Sequence, residues 1–191
     1  KLLSMFLAAT ALTLVVHAQE TKKTKDCGCS FSSTNQVGLL EGSTGTSFQF
    51  QTINGARFHN WFAGIGIGYD RYRVRSVPLF LDLRWTLFNR PNTPFVYGDV
   101  GYNFAWPEDR DTDNWFSSDF SGGVYYDAGI GYRLGIGKKQ GIVFSGGFSL
   151  KKIREERFTT VCGFAGCTPN NEVEIYDFKL RRISLKVGIQ L

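Results

Sequence analysis

The sequence predicts an all-β protein, an eight-stranded antiparallel up-and-down transmembrane β-barrel. Three observations support this fold class. Apolar and polar residues alternate with a period of two through about eight segments, as they do in extended strands. Aromatic residues make up 15% of the chain and Gly contributes 22 of its 191 residues, a composition typical of strands joined by tight turns. The connections between the segments alternate between short turns and longer loops.

The clearest predicted strand is Leu79–Phe88. Its odd-numbered positions form an unbroken apolar face, whereas the opposite face carries Asp82 and Arg84 in mid-strand. In a half-buried strand of a soluble protein, the charges would face water and the apolar face would form the core. A closed barrel in lipid instead turns its apolar residues outward and its polar residues inward. The next segment, Pro94–Trp106, alternates in the same way, so the pair favours a membrane barrel.

The N-terminal residues are predicted to lie outside the barrel. A basic first residue, the apolar run Leu2–Val16 and a site that fits cleavage after Ala18 predict a signal peptide over residues 1–18. Its removal would leave the protein in a compartment where disulfides form. Residues 19–34 are polar and aperiodic, which predicts a flexible periplasmic leader. The barrel itself is predicted to occupy residues 35–191.

The predicted strands, in chain order, are Gln36–Glu41, Thr46–Ile53, Phe58–Asp70, Ser76–Phe88, Pro94–Trp106, Phe120–Ile136, Gly141–Lys151 and Glu172–Leu191. Asn54-Gly55 predicts a tight turn after the second of them. Short connections at 54–57, 89–93 and 137–140 fall at one end of the predicted barrel, and longer ones at the other. Transmembrane barrels have tight periplasmic turns and longer outer loops. Both chain termini are therefore expected on the periplasmic side.

The last two strands extend further than the ~9–11 residues that a tilted spanning strand needs. The longest predicted connection, Lys152–Asn171, lies between them. The apolar phase of the final strand changes near Arg181-Arg182, which indicates a bulge or a boundary between membrane and solvent. We therefore predict that Lys151–Asp177 forms a hairpin that protrudes above the outer surface.

The chain resembles the small eight-stranded outer-membrane barrels of Gram-negative bacteria, the OmpX type and the OmpA transmembrane domain. Besides the signal run and the alternating strands, the resemblance is carried by the ending Ile183–Leu191, whose apolar residues face one way, much like the family's C-terminal assembly signal. That signal usually ends in Phe or Trp, where this chain has Leu191. The resemblance implies localisation in the outer membrane, insertion by the outer-membrane assembly machinery, and lipopolysaccharide among the surrounding outer-membrane lipid.

Charged residues on the inward face predict an interior salt-bridge network formed by Asp82, Arg84, Asp99, Asp127, Arg133 and Lys186. The lumen of an eight-stranded barrel is just wide enough for side chains to fill it, so charges inside need partners to offset desolvation. With Phe88 opposite Phe95, the register would pair Arg84 with Asp99. The alternative interpretation is a catalytic carboxylate pair or an ion path.

Aromatic residues at the predicted strand ends suggest interfacial girdles. Trp61 and Trp85 fall near the turn side, and Tyr69, Tyr102 and Trp106 near the loop side.

Two cysteine pairs are predicted to lie on opposite faces of the membrane. Cys162 and Cys167 belong to the last outer loop and are predicted to form a disulfide, whereas Cys27 and Cys29 belong to the leader. A membrane core ~30 Å thick separates the pairs, and a disulfide needs Cα atoms within ~7 Å. The redox state of Cys27 and Cys29 stays open, and neither pair alone supplies enough ligands for a metal ion.

Motifs for several other functions are missing from the sequence. A net charge of +5 without a basic stripe argues against nucleic-acid binding. The glycines of Gly64–Gly68 and Gly135–Lys139 lack the spacing of nucleotide-binding loops. No GxSxG or HExxH motif occurs, and His59 is the only histidine after residue 18.

We therefore predict a non-enzymatic protein without cofactor or metal, with a plugged polar interior. Its role would be structural or would lie in recognition of a protein partner through the outer loops. One alternative is an outer-membrane lipid-modifying hydrolase, which would need His59 as a base beside a nucleophile. The other is a secreted lipocalin-like ligand binder, which would need apolar residues inside and polar residues outside.

Overall fold

The computed structural model of the chain describes residues 28–43, 45–71, 74–106, 116–136, 140–163 and 166–191, with the backbone alone at 116–118 and 158–173. The strands are β1 (Cys29–Glu41), β2 (Ser47–Phe58), β3 (Trp61–Arg71), β4 (Arg75–Thr86), β5 (Thr93–Ala105), β6 (Phe116–Ser121), β7 (Gly123–Gly135), β8 (Gly141–Gly163) and β9 (Gly166–Gln190). Among these residues, no helix is long and apolar enough to cross a bilayer.

The strands form a closed antiparallel barrel with eight strands in its wall, which confirms the predicted fold class. Each wall strand pairs with its neighbour in the chain, and β1 pairs with β9 to close the ring. The short strand β6 pairs with the far half of β8, where Ser121 lies opposite Arg154. Because Tyr125 of β7 lies opposite Lys151, β6 continues the line of β7 after a one-residue irregularity at Gly122.

Apolar side chains face outward and polar side chains face the lumen, as the alternation predicts. In β4, Leu79, Leu81 and Leu83 are 46%, 59% and 51% exposed, whereas Asp82 and Arg84 between and beside them are 2% and 6% exposed. A lipocalin-like binder needs the opposite arrangement, so that alternative is wrong. The same alternation runs through every wall strand, and the barrel therefore presents an apolar belt to its surroundings.

Glycines on the inward face provide room for the large side chains of neighbouring strands. A Cβ atom at Gly66 would lie 2.4 Å from the ring of Phe80, and one at Gly131 would lie 2.3 Å from the ring of Phe95. These distances are far below van der Waals contact. Inward glycines therefore make room for bulky lumen residues at these positions.

The first hairpins differ from the prediction in their bounds. Asn54 and Gly55 lie inside β2, and the turn into β3 is His59-Asn60, with Phe58 opposite Trp61. His59 adopts a left-handed backbone conformation with φ of 52°, in which His is more common than most residues. The longer β2 offers pairing partners to the segment before residue 35, so β1 begins at Cys29 and the predicted leader is too long.

The last hairpin extends well beyond the wall, as predicted for Lys151–Asp177. β8 and β9 contain 23 and 25 residues and remain paired as far as Gly163 opposite Gly166, so the predicted loop at 152–171 is wrong. The register is unbroken at Arg181, which rules out the bulge considered there. The outward face simply changes from apolar to charged residues, which is the pattern of a boundary between lipid and water.

Candidate functional sites in the lumen, at the rim and on the outer hairpin

Three carboxylates lie side by side across the middle of the lumen. Asp82 of β4 is directly opposite Asp99 of β5, and Asp99 is directly opposite Asp127 of β7. All three residues are at most 3% exposed. Neighbouring carboxylates repel one another in a desolvated site, so this row depends on cations placed around it.

Arg84 neutralises one end of the row. Its Nε atom lies 2.8 Å from Oδ1 of Asp82 and its Nη2 atom lies 2.9 Å from Oδ2, which gives a bidentate pair within one strand face. The predicted Arg84–Asp99 bridge is wrong. The β4–β5 register places Thr86, not Phe88, opposite Phe95, and this two-residue offset moves Arg84 opposite Tyr97.

Lys186 neutralises the other end of the row. Its Nζ atom lies 2.8 Å from Oδ2 of Asp127 and 3.9 Å from Oδ2 of Asp99. The hydroxyls of Tyr97 and Ser184 also donate to Asp127, at 3.0 and 3.2 Å. The ammonium group sits 4.6 Å from the centre of the Tyr97 ring, where the negative face of the ring adds to its stabilisation. One carboxylate, Asp127, is thus the hub of the central network.

A second ion pair, which sequence reasoning missed, lies toward the loop side of the lumen. Lys151 donates to Asp70, and Ser76 donates to the same carboxylate at 2.6 Å. The Nζ atom of Lys151 also lies 5.2 Å from the centre of the Tyr125 ring. Asp70 and Lys151 occupy strand positions whose side chains point toward the lumen, and this alternation was the available sequence signal. Both residues fall at the ends of their predicted strands, so they were not counted in the interior network. The observed strands extend further than expected.

Arg133, the remaining member of the predicted network, lies apart from these pairs at the turn side of the barrel. There it lines a cavity of about 220 Å³ together with Arg57, His59, Thr86, Phe88, Asn89, Arg90, Pro91 and Thr93. A second cavity of about 10 Å³ below it is also lined by Arg57 and Arg133, and by Arg84 of the central layer. We call the nine residues around the larger cavity the turn-side rim.

The predicted interfacial aromatics all lie on the outer face near strand ends. Trp61 and Trp85 stack with their ring centres 6.1 Å apart near the turn side, on neighbouring strands. Tyr69, Tyr102 and Trp106 are 40%, 46% and 63% exposed near the loop side. Their contact with lipid headgroups stays a prediction.

The last hairpin, which comprises Lys151–Asp177 of β8 and β9 and which we call the outer hairpin after its predicted side of the membrane, carries charged pairs on its surface. Arg154 contacts Asp177 across the two strands at 2.9 Å, and this hydrogen bond lowers the pKa of the Asp177 carboxyl. The hydroxyl of Tyr176 donates to Glu174 at 2.8 Å, which raises the pKa of Tyr176. On the inward face, Ile153 is buried at 1% exposure.

The cysteines of the outer hairpin lie opposite each other. The backbone register pairs Cys162 with Cys167 directly before the tip. Their side chains are outside the described part, so the disulfide stays a prediction. Cys27 also lies outside the described residues, and Cys29 is the exposed first residue of β1.

The chain was compared with known proteins. No family model and no curated protein matches it. Among solved structures, it is similar to Neisserial surface protein A (NspA), with 11% identity, a TM-score of 0.52 and coverage of 86% of this chain and 98% of that one. It also aligns with the N-terminal β-barrel domain of Pseudomonas aeruginosa OprF (12% identity, TM-score 0.47, 84% and 97% covered) and with AlkL in lipid bilayers (14% identity, TM-score 0.42, 90% and 95% covered).

The likeness to NspA concerns the fold, and it agrees with the apolar outer belt and the polar lumen described above. The chain has the eight-stranded fold of the small outer-membrane β-barrels, with the lipid-facing surface that an integral membrane protein of this kind needs.

Proposed function

We propose that the protein is a non-enzymatic, non-conducting outer-membrane barrel that displays the outer hairpin as a recognition surface for another protein. The observation that carries this proposal is the length of β8 and β9, which continue past the apolar belt. From Lys152 to Gly163 the strand adds roughly 35 Å at ~3.3 Å per residue. A barrel that served only to span the membrane would not need this extension.

The lumen supports the non-conducting part of the proposal. Its central layer holds the Asp82–Arg84 and Asp127–Lys186 pairs, and aromatic side chains such as Phe80 and Tyr125 are buried within 2% exposure beside them. In an eight-stranded barrel, side chains of this size leave little space for ions.

The exposed edge of β9 supports the recognition part. β1 pairs with β9 only as far as Ile183 opposite Glu41. Beyond that point, no strand in the described part of the chain pairs with this edge of β9. Exposed edges bind extended segments of other proteins by adding a strand. Lys179 and Asp177 stand on the outward face there, and charged residues of this kind protect an edge from aggregation.

The surroundings of His59 argue against the hydrolase alternative. Two hydroxyl groups line the same cavity, those of Thr86 and Thr93. The Thr86 hydroxyl donates to the carbonyl of Asn60 at 3.0 Å, and the Thr93 hydroxyl donates to the carbonyl of Pro94 at 3.1 Å. A nucleophile activated by His59 would have to donate its proton to the imidazole instead.

Protease treatment of intact cells tests the display of the hairpin. Trypsin is expected to cut within Lys151–Asp177 in intact cells and to leave the turns at the other end intact. Cells with a permeabilised outer membrane serve as the control for protease access to the periplasmic side. A hairpin that is cut only after permeabilisation would show that the topology is inverted, and it would contradict the recognition role as well.

A photo-crosslinking residue tests recognition. Placed at Lys179, on the exposed part of β9, it is expected to give an adduct of defined mass with one cell-surface or extracellular protein. The matched control carries the same residue at Leu185, on the lipid-facing part of the same strand. Proline at Ile175 should abolish the adduct, because it interrupts the edge. Equal adducts at both positions, or none at Lys179, would contradict the proposal.

A further inference from the structure

Asp99, the middle carboxylate of the lumen row, has the weakest support of the three. It is 3% exposed, and among the described residues no side chain or backbone group donates a hydrogen bond to either of its carboxylate oxygens. The Nζ atom of Lys186 lies 3.9 Å from Oδ2, which is too long for a hydrogen bond. An ionised carboxylate in this position is strongly disfavoured, because the loss of hydration is not offset by hydrogen bonds.

The charged groups that face Asp99 add to this cost. Asp82 lies directly opposite on β4 and Asp127 directly opposite on β7, so a negative charge on Asp99 would be repelled from both sides. The two cations of this layer are bound more closely to those neighbours. Arg84 forms its bidentate pair with Asp82, and Lys186 lies 2.8 Å from Asp127.

The neighbour on β7 has no remaining capacity to accept a hydrogen bond from Asp99. Oδ1 of Asp127 accepts from the hydroxyls of Tyr97 and Ser184, at 3.0 and 3.2 Å. Oδ2 accepts from the ammonium group of Lys186 at 2.8 Å and from the hydroxyl of Tyr125 at 3.4 Å. A carboxylate has about four lone-pair sites, two on each oxygen, so these four donors saturate Asp127.

The neighbour on β4 does have this capacity. Within the described part of the chain, the donors to Asp82 are two nitrogen atoms of Arg84, which give one hydrogen bond to Oδ1 and two to Oδ2. One lone pair of Oδ1 is therefore left. Asp99 is the residue directly across from Asp82 on the same face, and such pairs have Cβ atoms about 5 Å apart. At this separation two carboxyl groups can share a hydrogen bond if one of them carries a proton.

We propose that Asp99 is a proton-binding site, which holds a proton at neutral pH and donates it in a hydrogen bond to the carboxylate of Asp82. Two carboxyl groups that cannot both ionise at close range commonly share one proton in this way, and hydrogen bonds from an acid to a carboxylate are short and strong. The negative charges of the row are then those of Asp82 and Asp127, and each of them contacts one cation. This site does not depend on the recognition role of the outer hairpin.

Infrared spectroscopy of the protein in lipid vesicles, with ¹³C in the Asp carboxyl groups, tests the site directly. At neutral pH we expect one carbonyl band of a protonated carboxylic acid, which shifts with the label and is lost in Asp99→Asn. Asp177→Asn is the matched control, since it removes an exposed carboxyl group of the outer hairpin and should leave the band unchanged. The absence of an acid band from the labelled wild type at neutral pH would overturn the site without any variant, and so would a band that persists in Asp99→Asn.

The pH dependence of unfolding gives a second test, which counts protons. An Asp of the unfolded chain ionises near ~3.9, so above this pH the native state would hold one proton more than the unfolded state and would lose stability as the pH rises. The unfolding equilibrium constant of the wild type, divided by that of Asp99→Asn, should therefore rise about tenfold per pH unit from roughly pH 5 toward neutral pH. Asp177→Asn should follow the wild type over this range. Parallel pH profiles for the wild type and Asp99→Asn would overturn the proposal, whatever their difference in stability.

Discussion

Replacing Lys186 with Met tests the central network most directly. The substitution keeps an unbranched side chain of similar length and removes the cation that lies 2.8 Å from Asp127 and 3.9 Å from Asp99. The row of Asp82, Asp99 and Asp127 would then keep Arg84 as its only contacting cation among the described ion pairs. Removing one partner of a buried ion pair costs about 3–5 kcal/mol, because the remaining charge is desolvated and uncompensated.

The assay is urea unfolding of the protein reconstituted in lipid vesicles, followed by tryptophan fluorescence. Lys186→Met is expected to lower the free energy of unfolding by about 3–5 kcal/mol. Lys179→Met removes the same group from an exposed position of β9 and should change stability by less than about 0.5 kcal/mol. These two variants differ in burial and not in chemistry, so their difference isolates the effect of the lumen.

A double-mutant cycle shows whether Asp127 is the partner. Once Asp127 is changed to Asn, the buried charge is gone, so adding Lys186→Met should cost much less than it does in the wild type. A coupling free energy of about 0.5–3 kcal/mol is expected for residues in direct contact. Strictly additive losses, or a Lys186→Met variant as stable as the wild type, would refute the network as described.

Three further predictions concern packing, titration and transport. Gly66→Ala should destabilise the barrel by about 1–3 kcal/mol because the new methyl group would lie 2.4 Å from the Phe80 ring, whereas Gly98→Ala, with no atom within 4 Å, should be neutral in the same unfolding assay. The Asp177 carboxyl should titrate below the ordinary Asp value of ~3.9, because Arg154 donates a hydrogen bond to its charged form. The pair with Arg154 should therefore persist above that pH and be lost only as the pH falls through the lowered pKa. A midpoint at or above ~3.9 in an NMR titration would contradict this prediction. Purified protein in planar bilayers should give no steady single-channel current, and large stable currents would show that the lumen conducts.

The polarity of the barrel could be predicted from single strands. In β4, the alternation of Leu81, Asp82, Leu83 and Arg84 determines which side chains share a face, because successive side chains of any strand point to opposite sides. Whether the apolar face looks outward depends on the number of strands in the ring, and the eight wall strands could be counted from the sequence. The inward glycines could be recognised in the same way, since their parity follows that of the charged residues.

The pairing of the interior charges could not be predicted. The Arg84–Asp99 bridge was expected from a turn that begins after Phe88, but β4 ends at Thr86, so every cross-strand partner shifts by two residues. A shift by two residues leaves every side chain on the same face of the sheet and changes only its cross-strand neighbour. The alternation of apolar and polar residues therefore gives no information about strand register. The same holds at His59-Asn60, where the Asn54-Gly55 signal was overridden by the continued pairing of β2.

The rim and the Asp70–Lys151 pair needed the closed barrel. Arg57 of β2, Arg90 of the turn after β4 and Arg133 of β7 are far apart in the chain, and Asp70 is 81 residues from Lys151. The sequence by itself determined the membrane-barrel class, the direction of each face and the long final hairpin, because these depend on the period and length of individual strands. Only the tertiary structure decided which charges meet. Those contacts depend on strand register, and register is set when β1 closes on β9 and all turns must fit one ring.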